Sequence, residues 1–310
     1  MKTTILTGAL LILNTLMTTP VAAAGARITE IQENYLDLAD GGRLYYRDSG
    51  GTGTAVVFMH AGSGNSSVWE PQLAPFGAAG YRFIAFDRPG SGRSTRGTQT
   101  GSDKRAELDQ LMDKLGIQRF HLVGVAAGGG AALQYVIGHE ERVRSLVIAN
   151  SIGNVQDAAY NQMGQRLRPA AFNQLPLEVR ELGPSYRAVN PQGVQRWLEL
   201  STLGKGTESP APAPPGTGPA ANGPPAGGPP AGGPPGGGTA VTWEALGKLG
   251  VPTLLTTGDA DLYTPPSVLR LFKQHMPRAE LVIIPESGHA SYWENPDAFN
   301  SAVLKFIAQH

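Results

Sequence analysis

Two residues whose side chains can accept or donate a proton lie late in the chain, each after an apolar segment. His289 closes a Ser-Gly-His tripeptide after the apolar run 281–284. Asp261 closes a Gly-Asp-Ala-Asp turn after the run 253–256. A carboxylate that holds an imidazole in one tautomer makes it an effective base near neutral pH. His289 and Asp261 are therefore candidates for proton-transfer chemistry.

A turn of small residues lies earlier, between an apolar run at 122–125 and a small-residue helix predicted over 127–137. Its sequence is Gly-Val-Ala-Ala-Gly, with Ala126 at the centre. Glycines two before and two after the centre allow a sharp strand-to-helix turn, as in the G-x-S-x-G nucleophile elbow. Ala126 carries no nucleophilic atom, so no acyl- or alkyl-enzyme can form on it.

Two further glycine-rich turns follow apolar runs near the start. Residues 60–64 read His-Ala-Gly-Ser-Gly after the run 55–59. Residues 87–94 read Asp-Arg-Pro-Gly-Ser-Gly-Arg-Ser after the run 83–86.

Taken in order, these motifs resemble the α/β-hydrolase superfamily over residues 44–148 and 251–307. Residues 87–94 are similar to the D-x-P-G-x-G-x-S turn of its epoxide-hydrolase and enol-lactonase branch. The resemblance implies an oxyanion hole formed by the N–H groups of Gly62 and Ala127, with Asp261 and His289 as acid and base. It implies a hydrolase that acts on a small carbonyl compound, such as an ester or lactone, with no cofactor.

The departure at Ala126 leaves three interpretations open. The first is a deliberate Ser→Ala replacement made to trap substrate. The second is an enzyme that works without a covalent step, in which His289 activates water or takes a substrate proton directly. The third is a catalytically silent ligand-binding scaffold of the same fold.

The remaining pattern alternates strands with helices. Short continuous apolar runs bounded by glycine predict buried strands, and a helical stripe over 103–115 and an amphipathic segment over 295–307 predict helices between and after them. This alternation predicts an α/β fold with a mostly parallel, doubly wound sheet covered on both faces. The predicted strands lie at 44–46, 55–59, 83–86, 122–125, 146–148, 253–256 and 281–284, and further helices at 127–137 and 267–275.

One long interruption divides this core into residues 25–150 and 250–310. Residues 151–208 predict a helical cap that roofs the site. Residues 209–238 are almost entirely Pro, Gly and Ala and predict a disordered insertion, and residues 239–249 predict a return helix. His60, Trp69 and Trp293 are candidate pocket residues, the two tryptophans with core packing as the alternative.

The first 24 residues have the pattern of a targeting segment. Lys2, an apolar run over 5–17 and an Ala-rich step before Gly25 predict a secretory signal peptide, hence an exported, periplasmic or secreted protein. The apolar run is short of the ~20 residues that span a bilayer, so no stable membrane insertion is expected.

The amino-acid composition limits the classes of binding partner that are expected. The chain has 310 residues, 25 basic and 25 acidic side chains and no Cys. A balanced charge argues against nucleic acid, whose phosphates need clustered Lys and Arg. No pair of His has the spacing of metal ligands, so no metal is expected, and the expected partner is a small-molecule substrate. The oligomeric state is left open.

Overall fold

The computed structural model describes residues 31–97, 104–204 and 240–310, and eight strands within these ranges form one sheet. The strands are β1 (Gln32–Asp37), β2 (Arg43–Asp48), β3 (Ala55–Met59), β4 (Arg82–Phe86), β5 (Phe120–Val125), β6 (Val143–Ala149), β7 (Thr253–Gly258) and β8 (Glu280–Ile284).

The sheet order is β1-β2-β4-β3-β5-β6-β7-β8. β1 and β2 pair antiparallel, as do β2 and β4, and every later pair is parallel. The mostly parallel sheet predicted from the sequence is therefore confirmed. The sequence pattern missed β1, because this edge strand is mostly exposed and has no continuous apolar run.

Helices cover both faces of the sheet, which confirms the α/β class. They are α1 (Glu70–Ala78), α2 (Lys104–Lys114), α3 (Ala127–Gly138), α4 (Ala158–Leu167), α5 (Leu177–Glu181), α6 (Pro184–Val189), α7 (Pro191–Leu203), α8 (Trp243–Lys248), α9 (Pro266–His275), α10 (Ser291–Glu294) and α11 (Pro296–Ile307).

The strands divide their side chains between two apolar layers. In β3, Val57 and Met59 join the layer formed with α2, α3 and α9, while Val56 and Phe58 join the layer formed with α1 and α11. All five residues of β3 are buried. Burial on both faces explains why these strands read as continuous apolar runs rather than as alternating ones.

The described part of the predicted cap at 151–208 contains the helices α4 to α7. α8 falls within the predicted return helix at 239–249. The predicted signal peptide at 1–24 and the predicted insertion at 209–238 lie outside the described residues. Among the helices that the structure describes, none is long and apolar enough to cross a membrane.

Candidate active site

The strand-to-helix turn after β5 has the strained backbone of a nucleophile elbow. Ala126 has φ 50° and ψ −116°, in the left-handed region that L-residues seldom adopt. Its N–H donates to the Ala149 carbonyl at 2.9 Å, and its carbonyl accepts the Ser151 hydroxyl at 2.6 Å. The turn therefore presents residue 126 as an elbow presents its nucleophile, although the side chain is a methyl group.

The glycines around this turn are required by close backbone approach. A Cβ on Gly124 would lie 2.6 Å from the Gly128 carbonyl oxygen, and one on Gly128 would lie 2.3 Å from the Met59 carbonyl oxygen. No real Cβ contact is that short. The small residues that the sequence placed here let β5, α3 and the end of β3 meet.

Ala127 is the first residue of α3, so its N–H has no partner within the helix. Gly62 lies beside it, since a Cβ built on Gly62 would be 3.7 Å from the Ala127 Cβ. The structure thus brings together the two residues proposed from sequence as the oxyanion hole.

His60 holds the loop that carries Gly62. Its Nδ1 lies 2.6 Å from the Ala61 carbonyl oxygen and its Nε2 lies 2.9 Å from the Arg88 N–H. One nitrogen donates and the other accepts, so the ring is neutral. Burial, with the nearby Arg88 guanidinium, lowers the pKa of His60 to about 3. At neutral pH the uncharged His60 ring therefore stabilises this loop through its two hydrogen bonds.

The turn at residues 87–94 supports the same loop. The Asp87 carboxylate accepts the N–H of Ser66 at 2.6 Å and the N–H of Arg93 at 2.8 Å. Ser94 Oγ donates to the Asp87 carbonyl at 2.7 Å. Asp87 therefore ties this turn to the segment after the oxyanion loop.

His289 and Asp261 come from two loops at the carboxyl ends of β8 and β7. His289 Nδ1 lies 2.9 Å from both carboxylate oxygens of Asp261. Both side chains are buried. With the Nδ1 proton donated to Asp261, the lone pair of Nε2 is left to accept a proton, which is the arrangement of a general base.

Asp261 is held by several donors besides the imidazole. They are the N–H groups of Tyr263 and Thr264, both at 2.8 Å, Thr257 Oγ1 at 2.8 Å and Asn150 Nδ2 at 3.0 Å. Burial by itself would raise the pKa of Asp261, but the His289 ring and these hydrogen bonds lower it below its usual value. The carboxylate therefore stays ionised.

The pKa of His289 moves the other way. Burial by itself would lower it, but the Asp261 carboxylate, followed by Glu181 and Glu294, raises it above the ordinary value of 6.5. The imidazolium that forms when His289 takes a proton is thus stabilised.

The two tryptophans proposed as pocket residues occupy different places. Trp69 is fully buried, with its ring centroid 4.9 Å from Phe58 and 4.8 Å from Tyr292. Trp293 is 8% exposed, and its Nε1 donates to the carbonyl of Gly193 in α7 at 3.3 Å. Trp293 therefore contacts the cap, while Trp69 packs in the layer under the oxyanion loop.

Sequence reasoning missed the residues that hold the acid–base pair. Asn150, directly after β6, donates to Asp261 and accepts from Ser291 Oγ at 2.6 Å. Its position at the carboxyl end of a central strand was the one available signal, because such ends meet at one edge of a parallel sheet. Glu181, Tyr263 and Glu294 had no comparable signal.

Among residues 31–97, 104–204 and 240–310, no group of three His, Asp or Glu side chains could hold a metal ion.

A mostly parallel sheet with a strained elbow after β5, an acid after β7 and a base after β8 defines a hydrolase-type α/β protein. The model of the alpha/beta hydrolase fold family matches residues 54–296, and the chain belongs to that family.

The curated relatives are hydrolases. The 2-hydroxy-6-oxo-6-phenylhexa-2,4-dienoate hydrolase of Burkholderia cepacia is 26% identical over 276 residues, which are 86% of this chain and 91% of the relative. The 2-hydroxy-6-oxononadienedioate/2-hydroxy-6-oxononatrienedioate hydrolase of Comamonas testosteroni is also 26% identical, over 86% of this chain and 91% of the relative. The chain is a hydrolase of the α/β superfamily.

Solved structures show the same fold. A thermophilic esterase from Thermogutta terrifontis superposes with a TM-score of 0.66 at 18% identity, over 90% of this chain and 98% of the esterase. The enol-lactonase from Burkholderia xenovorans LB400 gives 0.64 at 19% identity, over 89% of this chain and 100% of the lactonase.

Proposed function

We propose that the protein hydrolyses a small carbonyl substrate, an ester or lactone or an oxo-acid of the kind named for its relatives, without a covalent intermediate. The observation that carries the proposal is the assembled acid–base pair, with His289 Nδ1 2.9 Å from both Asp261 oxygens, in a chain whose elbow offers no nucleophile. A buried carboxylate with five donors is costly to assemble and is explained by the base it orients.

The proposed reaction uses water in place of a side-chain nucleophile. His289 Nε2 takes a proton from a water molecule as its oxygen attacks the carbonyl carbon. The carbonyl electron pair moves to oxygen, where the N–H groups of Gly62 and Ala127 stabilise the negative charge. The intermediate then collapses, the bond to the leaving group breaks, and the leaving group takes the proton from His289.

His289→Ala tests this mechanism in the protein with Ala126 in place. We expect initial rates on a panel of esters, lactones and oxo-dienoates to fall by about 10²–10⁴-fold, the usual size of general-base catalysis. The parent rate should rise with pH through a group titrating above 6.5, because the base acts when neutral and Asp261 raises the pKa of His289.

His310→Ala is the matched control, since it removes an exposed imidazole at the C-terminus. Equal rates for the parent, His289→Ala and His310→Ala across the whole panel would overturn the proposal. Ligand binding without turnover would then favour a binding scaffold.

We also propose that the protein is exported. Support comes from the sequence of residues 1–24, where a basic start, a short apolar run and a small-residue step precede Gly25. N-terminal sequencing of the extracytoplasmic protein should begin near Gly25, and a chain that retains Met1 there would contradict the proposal.

A further inference from the structure

The catalytic base is in contact with the cap through its main chain. The carbonyl of Glu181, the last residue of the cap helix α5, accepts the N–H of His289 at 2.8 Å and the N–H of Ala290 at 3.1 Å. The cap backbone therefore fixes the loop that carries the base.

The Glu294 side chain forms a second set of hydrogen bonds between the cap and the loop that carries His289. The Glu294 carboxylate accepts the N–H of Gly183 from the cap at 2.6 Å and the N–H groups of Gly288 and Ala290 at 2.9 and 3.2 Å. The two backbones are in close contact, because a Cβ on Gly288 would lie 2.5 Å from the Gly183 nitrogen. The position of Glu181 relative to His289 is thus fixed on both sides.

The side chain of Glu181 is buried against the same site. Glu181 is 8% exposed. Burial raises the pKa of its carboxyl, while the nearby His289 ring, Arg180 and the Tyr263 hydroxyl lower it, so the carboxylate is electrostatically coupled to the base. The Tyr263 ring lies over His289, with 4.4 Å between ring centroids, and its hydroxyl also accepts Arg180 Nη1 at 3.1 Å. The mechanism derived above gives this buried carboxylate no role.

We propose that Glu181 is a positioning residue for the base: its buried cap carboxylate, placed by the main-chain bonds between Glu181 and His289, stabilises the imidazolium of His289 as a second acid beside Asp261. The inference rests on the proposed function of His289. On this proposal, His289 has both carboxylates nearby only when the cap packs on the core, because Glu181 belongs to the cap and His289 to the core.

Several charged or polar groups face His289, and each affects the pKa of its imidazole. Asp261 is bonded to its Nδ1, Glu181 and Tyr263 approach from the cap and the acid loop, and Glu294 lies on the helix that follows. On the positive side, Arg180 bonds the Tyr263 hydroxyl and Arg168 bonds the Tyr263 carbonyl. Glu181 is the one carboxylate in this set that neither holds the imidazole directly nor is satisfied by three main-chain N–H groups.

The test measures the pKa of His289 by NMR in histidine-labelled protein, with His289→Ala assigning the signal. Glu181→Gln should lower that pKa by about one unit, a typical effect of removing one nearby opposite charge. Glu178→Gln, which makes the same charge change one turn earlier on α5, should leave it unchanged. Tyr263→Phe, which keeps the Glu181 carboxylate and removes only the hydroxyl that accepts from Arg180, should give a smaller decrease than Glu181→Gln.

An unchanged pKa in Glu181→Gln, or an equal decrease in Glu178→Gln, would overturn the proposal. If Glu181→Gln does not fold, Glu181→Asp decides. It keeps the charge, so the His289 pKa should stay close to that of the parent, and a decrease of about one unit would overturn the assignment. The titration needs no substrate, so its failure is distinct from a failure of the proposed hydrolysis, which the rates of His289→Ala report.

Discussion

At the scale of single residues, position 126 is where this chain departs from the G-x-S-x-G pattern of a nucleophile elbow. Ala126 keeps the strained backbone of the elbow, at φ 50°, without a side chain that uses it. A strained non-glycine conformation persists only where its surroundings enforce it, and here the hydrogen bonds to Ala149 and Ser151 do so. The turn is therefore already shaped for a serine.

Ala126→Ser should create a working nucleophile. The added hydroxyl would stand at the elbow beside the N–H groups of Gly62 and Ala127, so we expect turnover of a simple activated ester to rise by about 10²–10⁶-fold. Steady-state rates and mass spectrometry of the acyl-enzyme measure the gain. The double variant with His289→Ala should lose it, and no gain in the single variant would show that the base is out of reach of residue 126.

Glu294 predicts a pH dependence of stability. Burial raises the pKa of its carboxyl to about 7, although the N–H groups of Gly288, Gly183 and Ala290 oppose the shift. Between the unfolded value of 4.5 and about 7, the folded protein holds a proton that the unfolded chain releases. This contribution to stability is therefore present at low pH and is lost as the pH rises through 7.

Comparison of the parent with Glu294→Gln in urea unfolding at pH 5 and pH 8 checks this sign. The parent should lose about 1–3 kcal/mol more of its free energy of unfolding across that interval than the variant does. Glu199→Gln, at an exposed position of α7, should follow the parent. Identical pH slopes for the parent and Glu294→Gln would contradict the prediction.

At the scale of elements, the site depends on how closely β5 and α3 approach the end of β3. Gly128 stands in the first turn of α3, where a side chain would meet the carbonyl oxygens of Met59 and His60 at 2.3 and 2.6 Å. Backbone atoms cannot move aside as a flexible side chain can. The elbow and the oxyanion loop are therefore one packed unit.

Gly128→Ala should destabilise the fold by about 1–3 kcal/mol, the usual cost of overpacking. Thermal unfolding measures the effect. Gly247→Ala in α8 is the control of milder contact, because its Cβ would be 3.3 Å from the His275 carbonyl oxygen instead of 2.3 Å from that of Met59, and it should destabilise the fold less. Equal melting temperatures for Gly128→Ala and the parent would show that the two loops separate at little cost.

At the scale of the whole molecule, core and cap meet at the base. The main-chain bonds from His289 and Ala290 to Glu181 and the carboxylate of Glu294 join the cap to the loop after β8. Residues 209–238 follow this cap in sequence, and their Pro, Gly and Ala composition offers little apolar surface to bury.

Replacement of residues 209–238 by a short linker should change stability little, because loop entropy grows only slowly with length. A decrease in melting temperature of less than about 8 °C is expected, and a larger one, roughly 2–4 kcal/mol for a domain of this size, would show that the segment packs on the body. A linker of equal length with scrambled sequence separates the effect of composition from that of length.

The sequence by itself determined the central strands of the sheet and named the candidate site residues at the ends of those strands. Runs such as 55–59 and 122–125 are apolar because both faces of these parallel strands are buried. The local amino-acid composition therefore reveals them. The exposed edge strand β1 leaves no such mark, so only pairing with β2 defines it. Glycine spacing around Ala126 is likewise local, because a sharp turn constrains the residues nearest to it.

Only the tertiary structure decided what surrounds the base. Asn150, Glu181 and Glu294 lie 111, 108 and 5 positions from the residues they support, Asp261 for the first and His289 for the others. Their side chains are of ordinary types, and Asn150, directly after β6, is the one of the three whose position gave a local signal. Packing of α5 on the core brings Glu181 to His289, and the neighbouring positions of β6 and β7 in the sheet bring Asn150 to Asp261. A buried charge then acts on its neighbours through space, whatever their separation along the chain.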